Sequence, residues 1–173
     1  MTTPRRTFDL KPLSRDAVPS ALVKAERYRL LNEPGSAESI CLDVLRVDPA
    51  NREAQVTLLL ALTDQFLHDA SPRAPALAAE IAAALPDEYE RAYYAGIIRE
   101  RTAKAVLARD RHGAAAVAAD SLREAMAAYG RAEAHRPAGN DDSLLRWNAC
   151  ARLLMALPVP APDVHEPEPI QLE

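Results

Sequence analysis

A proline-containing joint recurs along this chain between segments that have helical composition. The stretch LRVDPANREAQ (residues 45–55) combines a helix end, a proline, a turn and a new helix start. Comparable joints follow at Leu85-Pro86 and Arg136-Pro137. Proline lacks a backbone N–H and stops a helix, whereas an Asn or Asp after it can cap the next helix. The recurrence therefore predicts a stack of helical hairpins.

The composition agrees with an all-helical chain. Hydrophobic residues make up 49% of the sequence and aromatic residues only 5%, and the stretch ALAAEIAAAL is alanine-rich. Alanine loses no side-chain entropy in a helix, and no alternating run is long enough to indicate a strand. The predicted caps are Ser36, Asn51 and Asp87. Helices are predicted over residues 19–31, 37–47, 52–69, 76–85, 88–110, 114–136 and 141–157.

Small residues recur at matching positions between the joints. They are Ala25, Ala37, Gly96, Ala125 and Ala132, with Tyr28 and Tyr129 as aromatic neighbours. Small side chains let two antiparallel helices approach closely, and each hairpin buries its apolar stripe against a neighbour. This placement resembles the tetratricopeptide repeat (TPR) family, whose unit is a helix–turn–helix of 34 residues. The resemblance covers about residues 17 to 156 and implies an all-α, TPR-like solenoid of about three hairpins with a C-terminal capping helix.

The sequence departs from the family pattern in its second and third units. Leu59 stands where the second unit should have a small residue, and an insertion lies around Ser71-Pro72. The two helices flanking His112-Gly113 are predicted at about 24 residues each, against a mean of about 11–12. We therefore expect an extended third hairpin whose tip protrudes beyond the stack.

Three segments are predicted from the composition. Residues 1–15 form a flexible N-terminal arm with Phe8 and Leu10 as candidate anchors. Residues 16–157 form the TPR-like domain. Residues 158–173 form a Pro-rich acidic tail that must be extended, because proline fixes φ and lacks the N–H. This tail is expected either to dock on a second protein or to lie in the chain's own groove.

Several functional classes are not expected. The net charge of −4 leaves no basic footprint for nucleic acid, and no apolar stretch reaches about 18 residues, so neither nucleic-acid binding nor membrane insertion is predicted. No opening segment has the pattern of a signal peptide, so a cytoplasmic location is the default. Cys41 and Cys150 lack CxxC spacing and are predicted to be buried, unactivated thiols.

No catalytic or cofactor constellation is found either. The histidines have no zinc or di-iron spacing, and Asp64 with His68 is interpreted as a surface pair. Ser36, Ser39 and Ser143 fall at predicted helix starts, where capping explains them. No Gly-rich loop follows a strand. We therefore predict a non-enzymatic protein with no metal and no cofactor.

In TPR proteins the first helices of successive hairpins line a concave groove, and the resemblance carries that role onto this chain. The groove would have an apolar floor with charges of both signs, which suits an amphipathic helix or an extended peptide. Leu22 and Glu26 stand where chaperone-binding members place Lys and Asn, so a carboxylate clamp is not expected. The alternative for each groove residue is packing within the chain. The predicted groove residues are Leu22, Glu26, Arg29, Leu30, Val56, Leu60, Thr63, Asp64, Tyr93, Ile97, Glu100 and Arg101.

The predicted function is that of a protein–protein interaction module, an adaptor or assembly scaffold for a protein or peptide partner. The alternatives are an obligate subunit of a larger complex or homodimer, and a helical-bundle metalloprotein or enzyme. Trp147 is interpreted as covering the last hairpin, with a surface anchor as the alternative. A basic stretch near the long hairpin's tip is interpreted as a solvated helix face, with docking to an acidic partner as the alternative. It comprises Arg99, Arg101, Lys104, Arg109 and Arg111.

Overall fold

The computed structural model describes residues 8–68, 72–109 and 111–158. These residues form a short 3-10 helix, Arg15–Ala17, and seven α-helices, and they contain no strand, which confirms the all-α fold class. The predicted tail beyond Pro158, the first seven residues of the predicted arm, and Ser71 lie outside the described residues. The helices are α1 (Val18–Leu30), α2 (Pro34–Val47), α3 (Arg52–Asp64), α4 (Arg73–Ala84), α5 (Glu88–Ala108), α6 (Ala114–Glu133) and α7 (Asp142–Ala156).

Two of the predicted caps are confirmed. The Asn51 side chain accepts a hydrogen bond from the Ala54 amide at 2.9 Å, and Asp87 accepts one from the Glu90 amide at 2.8 Å. Each bond satisfies a backbone donor that has no partner inside the helix. The joints at Pro49 and Pro86 therefore end one helix and begin the next.

The capping prediction for Ser36 is wrong. α2 begins at Pro34, so Ser36 lies inside the helix and its hydroxyl donates to Glu33 at 3.3 Å. Proline is favoured at the first helical position because its missing N–H is not needed there and its φ is already helical. Ser143 also lies inside its helix, α7, where it is buried rather than capping.

Some helix boundaries also differ from prediction. α3 ends at Asp64 and is followed by turns, whereas the sequence predicted a helix to residue 69. α4 begins earlier than predicted, at Arg73. α5 and α6 are 21 and 20 residues long, shorter than the predicted 24 or so but still the longest helices described. Arg109 at the end of α5 donates to the carbonyl of Phe66 at 2.8 Å, so this end of the long hairpin is tied to the turn after α3.

Each helix packs mainly against the next one in the chain, and α3 also contacts both α1 and α5. The five small residues that carry the family resemblance are all buried in these contacts. Gly96 on α5 faces the ring of Tyr129 on α6, and a Cβ built on Gly96 would lie 2.5 Å from Tyr129 Cε1. The long hairpin therefore closes around one backbone-to-ring contact.

The departure at Leu59 has a physical explanation in the neighbouring helix. Leu59 is fully buried, and it belongs to a core cluster that includes Ala74, Ala78 and Ala82 of α4. The small residues needed for close packing are thus supplied by α4, which leaves room for leucines on α3. In the second hairpin the first helix, α3, therefore carries the large side chains at the contact, and the second helix, α4, carries the small ones.

The N-terminal arm is anchored differently from the prediction. Phe8 is 79% exposed and Leu10 64% exposed, so neither serves as an anchor. Leu13 instead packs against the cluster that contains Val18 and Leu22. The apolar contact of the arm with the core is therefore made by Leu13, five residues before the start of α1 at Val18.

Candidate binding surface

A chain of charged side chains joins α1, α3 and α5. Asp64 on α3 accepts from Arg29 Nε on α1 at 3.0 Å, and Arg101 Nη1 on α5 lies 3.3 Å from its other oxygen. Arg29 also contacts Glu26, which accepts from the Thr57 hydroxyl at 3.2 Å. These contacts place α1, α3 and α5 side by side on one surface of the molecule.

The same residues line a depression of about 380 Å³, which we call the arginine pocket. Leu30 is 86% exposed and Leu67 46% exposed at its edge, so apolar side chains face solvent beside an ionic floor. Exposed leucines grouped around a concavity are typical of a surface that binds another molecule. The lining includes Arg29, Leu30, Asp64, Leu67, His68 and Arg101.

The structure separates the twelve predicted groove residues into three groups. Those that line the arginine pocket are Arg29, Leu30, Asp64 and Arg101. Those that are half-buried beside it or along the same helices are Glu26, Val56, Leu60 and Tyr93. Those that are buried within the fold are Leu22, Thr63, Ile97 and Glu100. The accessible part of the predicted groove is therefore concentrated at the arginine pocket, and Leu67 and His68 belong to it although the sequence analysis did not select them.

Glu100 is the centre of a buried polar network rather than a contact for a partner. Only 2% of the residue is exposed, and its carboxylate accepts from the Tyr129 hydroxyl at 2.7 Å and from Lys104 at 2.5 Å. Arg146 on α7 lies 3.3 Å away. Burial raises the pKa of Glu100, but the hydrogen bonds and positive charges outweigh it and lower the pKa below its usual value. The network connects α5, α6 and α7.

The two thiols and the remaining polar candidates are structural in character. Cys41 and Cys150 are buried, as predicted, and burial raises the pKa of Cys41 to about 12 and that of Cys150 to about 11. Such thiols are protonated at neutral pH and poor nucleophiles. Asp64, predicted to pair with His68, is instead engaged by two arginines. Among the described residues, no group of three or more His, Cys, Asp or Glu side chains could hold a metal ion.

The basic stretch of the long hairpin is largely paired with acidic groups. Arg99 lies 2.9 Å from Glu124, and Arg101 and Lys104 contact the acids described above. Each pair connects two helices or adjacent turns of one helix. Three of the five basic residues are thus engaged by acidic side chains.

A further concave feature, which no sequence pattern indicated, lies at another face of α5. A depression of about 460 Å³ is formed between α4 and α5 and is lined largely by alanines, among them Ala76, Ala79 and Ala95. A neighbouring depression between α5 and the end of α6, also of about 380 Å³ but separate from the arginine pocket, shares Arg91 and Ala95 with the alanine-lined one. Alanine-rich helices were predicted to pack closely, and the pattern alone gave no indication that part of this small-residue surface stays open.

Comparisons with known proteins add no assignment. No family model, no curated protein and no solved structure matches the chain. Within the described residues, no helix is both long enough and apolar enough to cross a membrane.

Proposed function

We propose that the chain is a TPR-like stack of helical hairpins that acts as a non-enzymatic adaptor or assembly module. Its binding surface is the arginine pocket with the adjoining face of α1, α3 and α5. The observation that carries the proposal is the ion-pair chain Arg29–Asp64–Arg101, which holds three helices side by side beneath exposed leucines. An amphipathic helix or an extended peptide suits this combination of apolar edge and ionic floor.

Rigidity supports the proposed mechanism. Arg29 and Asp64 have side chains that are only 16% and 18% exposed, so their geometry is held by the surrounding helices. A surface that is ordered before binding loses little conformational entropy when a partner arrives. Most of the ordering cost is then borne by the partner segment.

The binding prediction concerns the two exposed leucines. Replacing both Leu30 and Leu67 by glutamate should reduce partner affinity by at least about tenfold, because each substitution removes an apolar contact of about 1.5–3 kcal/mol when buried. The protein is used to capture partners, and each captured partner is then titrated by calorimetry against the wild type and the variant. The matched control replaces Leu42 and Val117, two exposed residues of α2 and α6, by glutamate. Equal weakening by the control would contradict the proposed surface.

Substitution of buried groove residues would not test the proposal. Ile97 is only 2% exposed. Leu60 packs against two core clusters, one that contains Leu59 and one that contains Ile97. A glutamate at either position would bury a charge, and the variant would unfold rather than lose a contact. The surface leucines avoid this ambiguity.

A specific observation favours the alternative of an obligate subunit or homodimer. On α7, the last helix described, Met155 is 77% exposed and Leu145 64% exposed. The outer face of a terminal helix in a helical stack is normally polar, because no further repeat covers it. An apolar outer face is therefore consistent with a permanent partner at this end.

The alternative is tested by the mass of the isolated chain in solution. If α7 mediates self-association, light scattering should give twice the monomer mass for the wild type. Replacing both Leu145 and Met155 by glutamate should return the mass to that of the monomer, because two charges would face an apolar surface. A wild-type chain that is monomeric at high concentration would contradict the homodimer.

A further inference from the structure

We propose that residues 159–171, the Pro-rich acidic segment that follows α7, occupy the arginine pocket of the same chain. This inference deepens the function proposed above and rests on it, since the segment would cover the surface assigned to a partner. It makes the chain its own competitor for that surface.

The segment follows α7, and α7 ends near the tip of the long hairpin, where α5 ends and α6 begins. α6 and α7 are joined by only residues 134–141, so the two helices are antiparallel neighbours and α7 returns toward the first turns of α6. Leu154 and Leu157 at the end of α7 pack against the cluster that contains Ala103 of α5 and Ala118 of α6. The end of α7 therefore lies on the side of the molecule where α5 ends and α6 begins.

The arginine pocket lies at a short distance along α5. Arg101, which forms part of its lining, is seven residues before the end of α5 at Ala108, and this corresponds to about 10 Å of helix. Thirteen residues in a polyproline conformation would span about 40 Å. The segment is therefore long enough to reach the pocket and to cross it.

The charges of the segment and of the pocket are complementary. The segment carries Asp163, Glu166 and Glu168 and has no Lys or Arg. The pocket lining has two arginines, Arg29 and Arg101, and one carboxylate, Asp64, while Arg29 also contacts Glu26 outside the lining. A guanidinium has five N–H donors, and Arg101 contacts Asp64 through Nη1, so an arriving carboxylate can be bound by the same side chain. Lys104, about one turn further along α5, is 45% exposed and is bonded to Glu100.

The apolar groups also correspond. Leu30 and Leu67 present exposed side chains beside the pocket, and the segment offers Val164 and Ile170 among its prolines. A Pro-rich segment is already restricted before it binds, so docking costs it less conformational entropy than it would cost a flexible chain. Intramolecular docking also benefits from a high effective concentration, on the order of millimolar for a short connection.

The test is a spin label placed in the segment of the full-length chain. Cys41 and Cys150 are buried, so a cysteine introduced by Gln171→Cys is the accessible thiol for a nitroxide reagent. We expect the label to reduce the amide NMR signals of Leu30, Leu67 and Arg101. The signal of Ala79 on α4, which lines the alanine-rich depression at another face of α5, serves as the internal control and should be reduced less.

A charge-reversed segment makes the result specific. Replacing Asp163, Glu166 and Glu168 by lysine in the labelled chain should restore the amide signals of the pocket residues. The positively charged segment would then be repelled by the arginines of the pocket. Replacing Arg101 by glutamate in that same chain should bring the signal loss back. Signals at the pocket that never differ from those of the control residue would overturn the proposal.

Two further arms separate the other outcomes. A mixture of isotope-labelled chain without nitroxide and unlabelled chain with nitroxide detects docking between molecules, and loss of the pocket signals in that mixture would show that the segment of a second copy fills the pocket. Partner affinity is measured in parallel for the wild type and the charge-reversed chain, and the latter should bind more tightly. If no partner binds either chain while the label still reaches the pocket, the proposed function fails and the intramolecular contact remains.

Discussion

Replacing Gly96 by alanine is expected to destabilise the protein by about 1–3 kcal/mol, the usual cost of an extra methyl group in a packed core. The new Cβ would lie 2.5 Å, 2.7 Å and 2.9 Å from three ring atoms of Tyr129. That ring has little freedom to move, because its hydroxyl is bonded to Glu100 and its centroid is 5.8 Å from that of Tyr93. Overpacking therefore outweighs the gain of about 1 kcal/mol that alanine brings to a helix interior.

The matched control is Gly130→Ala on the partner helix of the same hairpin. Gly130 is exposed within α6, and a Cβ built on it meets nothing within 4 Å. Only the backbone effect remains there, so the variant should be more stable than the wild type by about 0.5–1 kcal/mol. Both free energies of unfolding are measured by urea denaturation followed by circular dichroism. Stabilisation by both substitutions would show that α5 and α6 do not meet closely at Gly96.

Replacing Glu100 by glutamine is expected to lower the free energy of unfolding by about 1–3 kcal/mol at neutral pH, the range for losing hydrogen bonds to a buried charged group. The amide keeps the shape of the carboxylate and can still accept from Tyr129, but it loses the charge that attracts Lys104 and Arg146. These two cations are 45% and 37% exposed, so solvent compensates part of their loss. The effect thus stays below that of a fully enclosed ion pair.

The same network makes this difference depend on pH. The pKa of Glu100 is lowered in the folded protein from its ordinary value of 4.5, because hydrogen bonds and positive charges outweigh desolvation. A carboxyl group with a lowered folded pKa stabilises the fold at pH values above its unfolded pKa, and this stabilisation is lost as the pH falls through the folded pKa. The difference in the free energy of unfolding between the wild type and Glu100→Gln should therefore be largest at neutral pH and should shrink below about pH 4.5.

Glu124→Gln provides the control for this experiment. Glu124 pairs with Arg99 on the same hairpin, but both side chains are more than half exposed. An exposed pair contributes about 0–1 kcal/mol, so the control should change stability little at any pH. A Glu100→Gln variant that behaves like the control from acid to neutral pH would contradict the role of the buried network.

The sequence predicted helices well wherever a local signal determines them. Asn51 and Asp87 follow prolines and cap the next helix as expected, since capping depends on residues within one turn. Ser36 was misassigned because two signals compete there, and Pro34 at the first helical position defines the start of α2. The end of α3 was placed too late, since Phe66 continues the apolar pattern although it is buried in a turn beyond the helix.

The candidate site was predictable only in part. The family pattern selected Arg29, Asp64 and Arg101, which the structure brings together because α1, α3 and α5 are neighbours. It also selected Glu100, whose side chain is buried and bonded to Tyr129 of α6 and Arg146 of α7. Periodicity indicates which side of a helix a residue occupies, but whether another helix covers that side depends on long-range packing.

The neighbour-to-neighbour arrangement of the helices also bears on how the chain acquires its structure. Since contacts mainly join elements that are adjacent in sequence, relative contact order is low, and chains of this kind typically fold within microseconds to milliseconds. The described residues contain no strand that would have to pair with a strand far away in the sequence. α1 and α2 can therefore pack together while later residues are still being synthesised. Assembly could then proceed in the order of translation, and the last helix, α7, would close the Glu100 network only after both arms of the long hairpin had emerged.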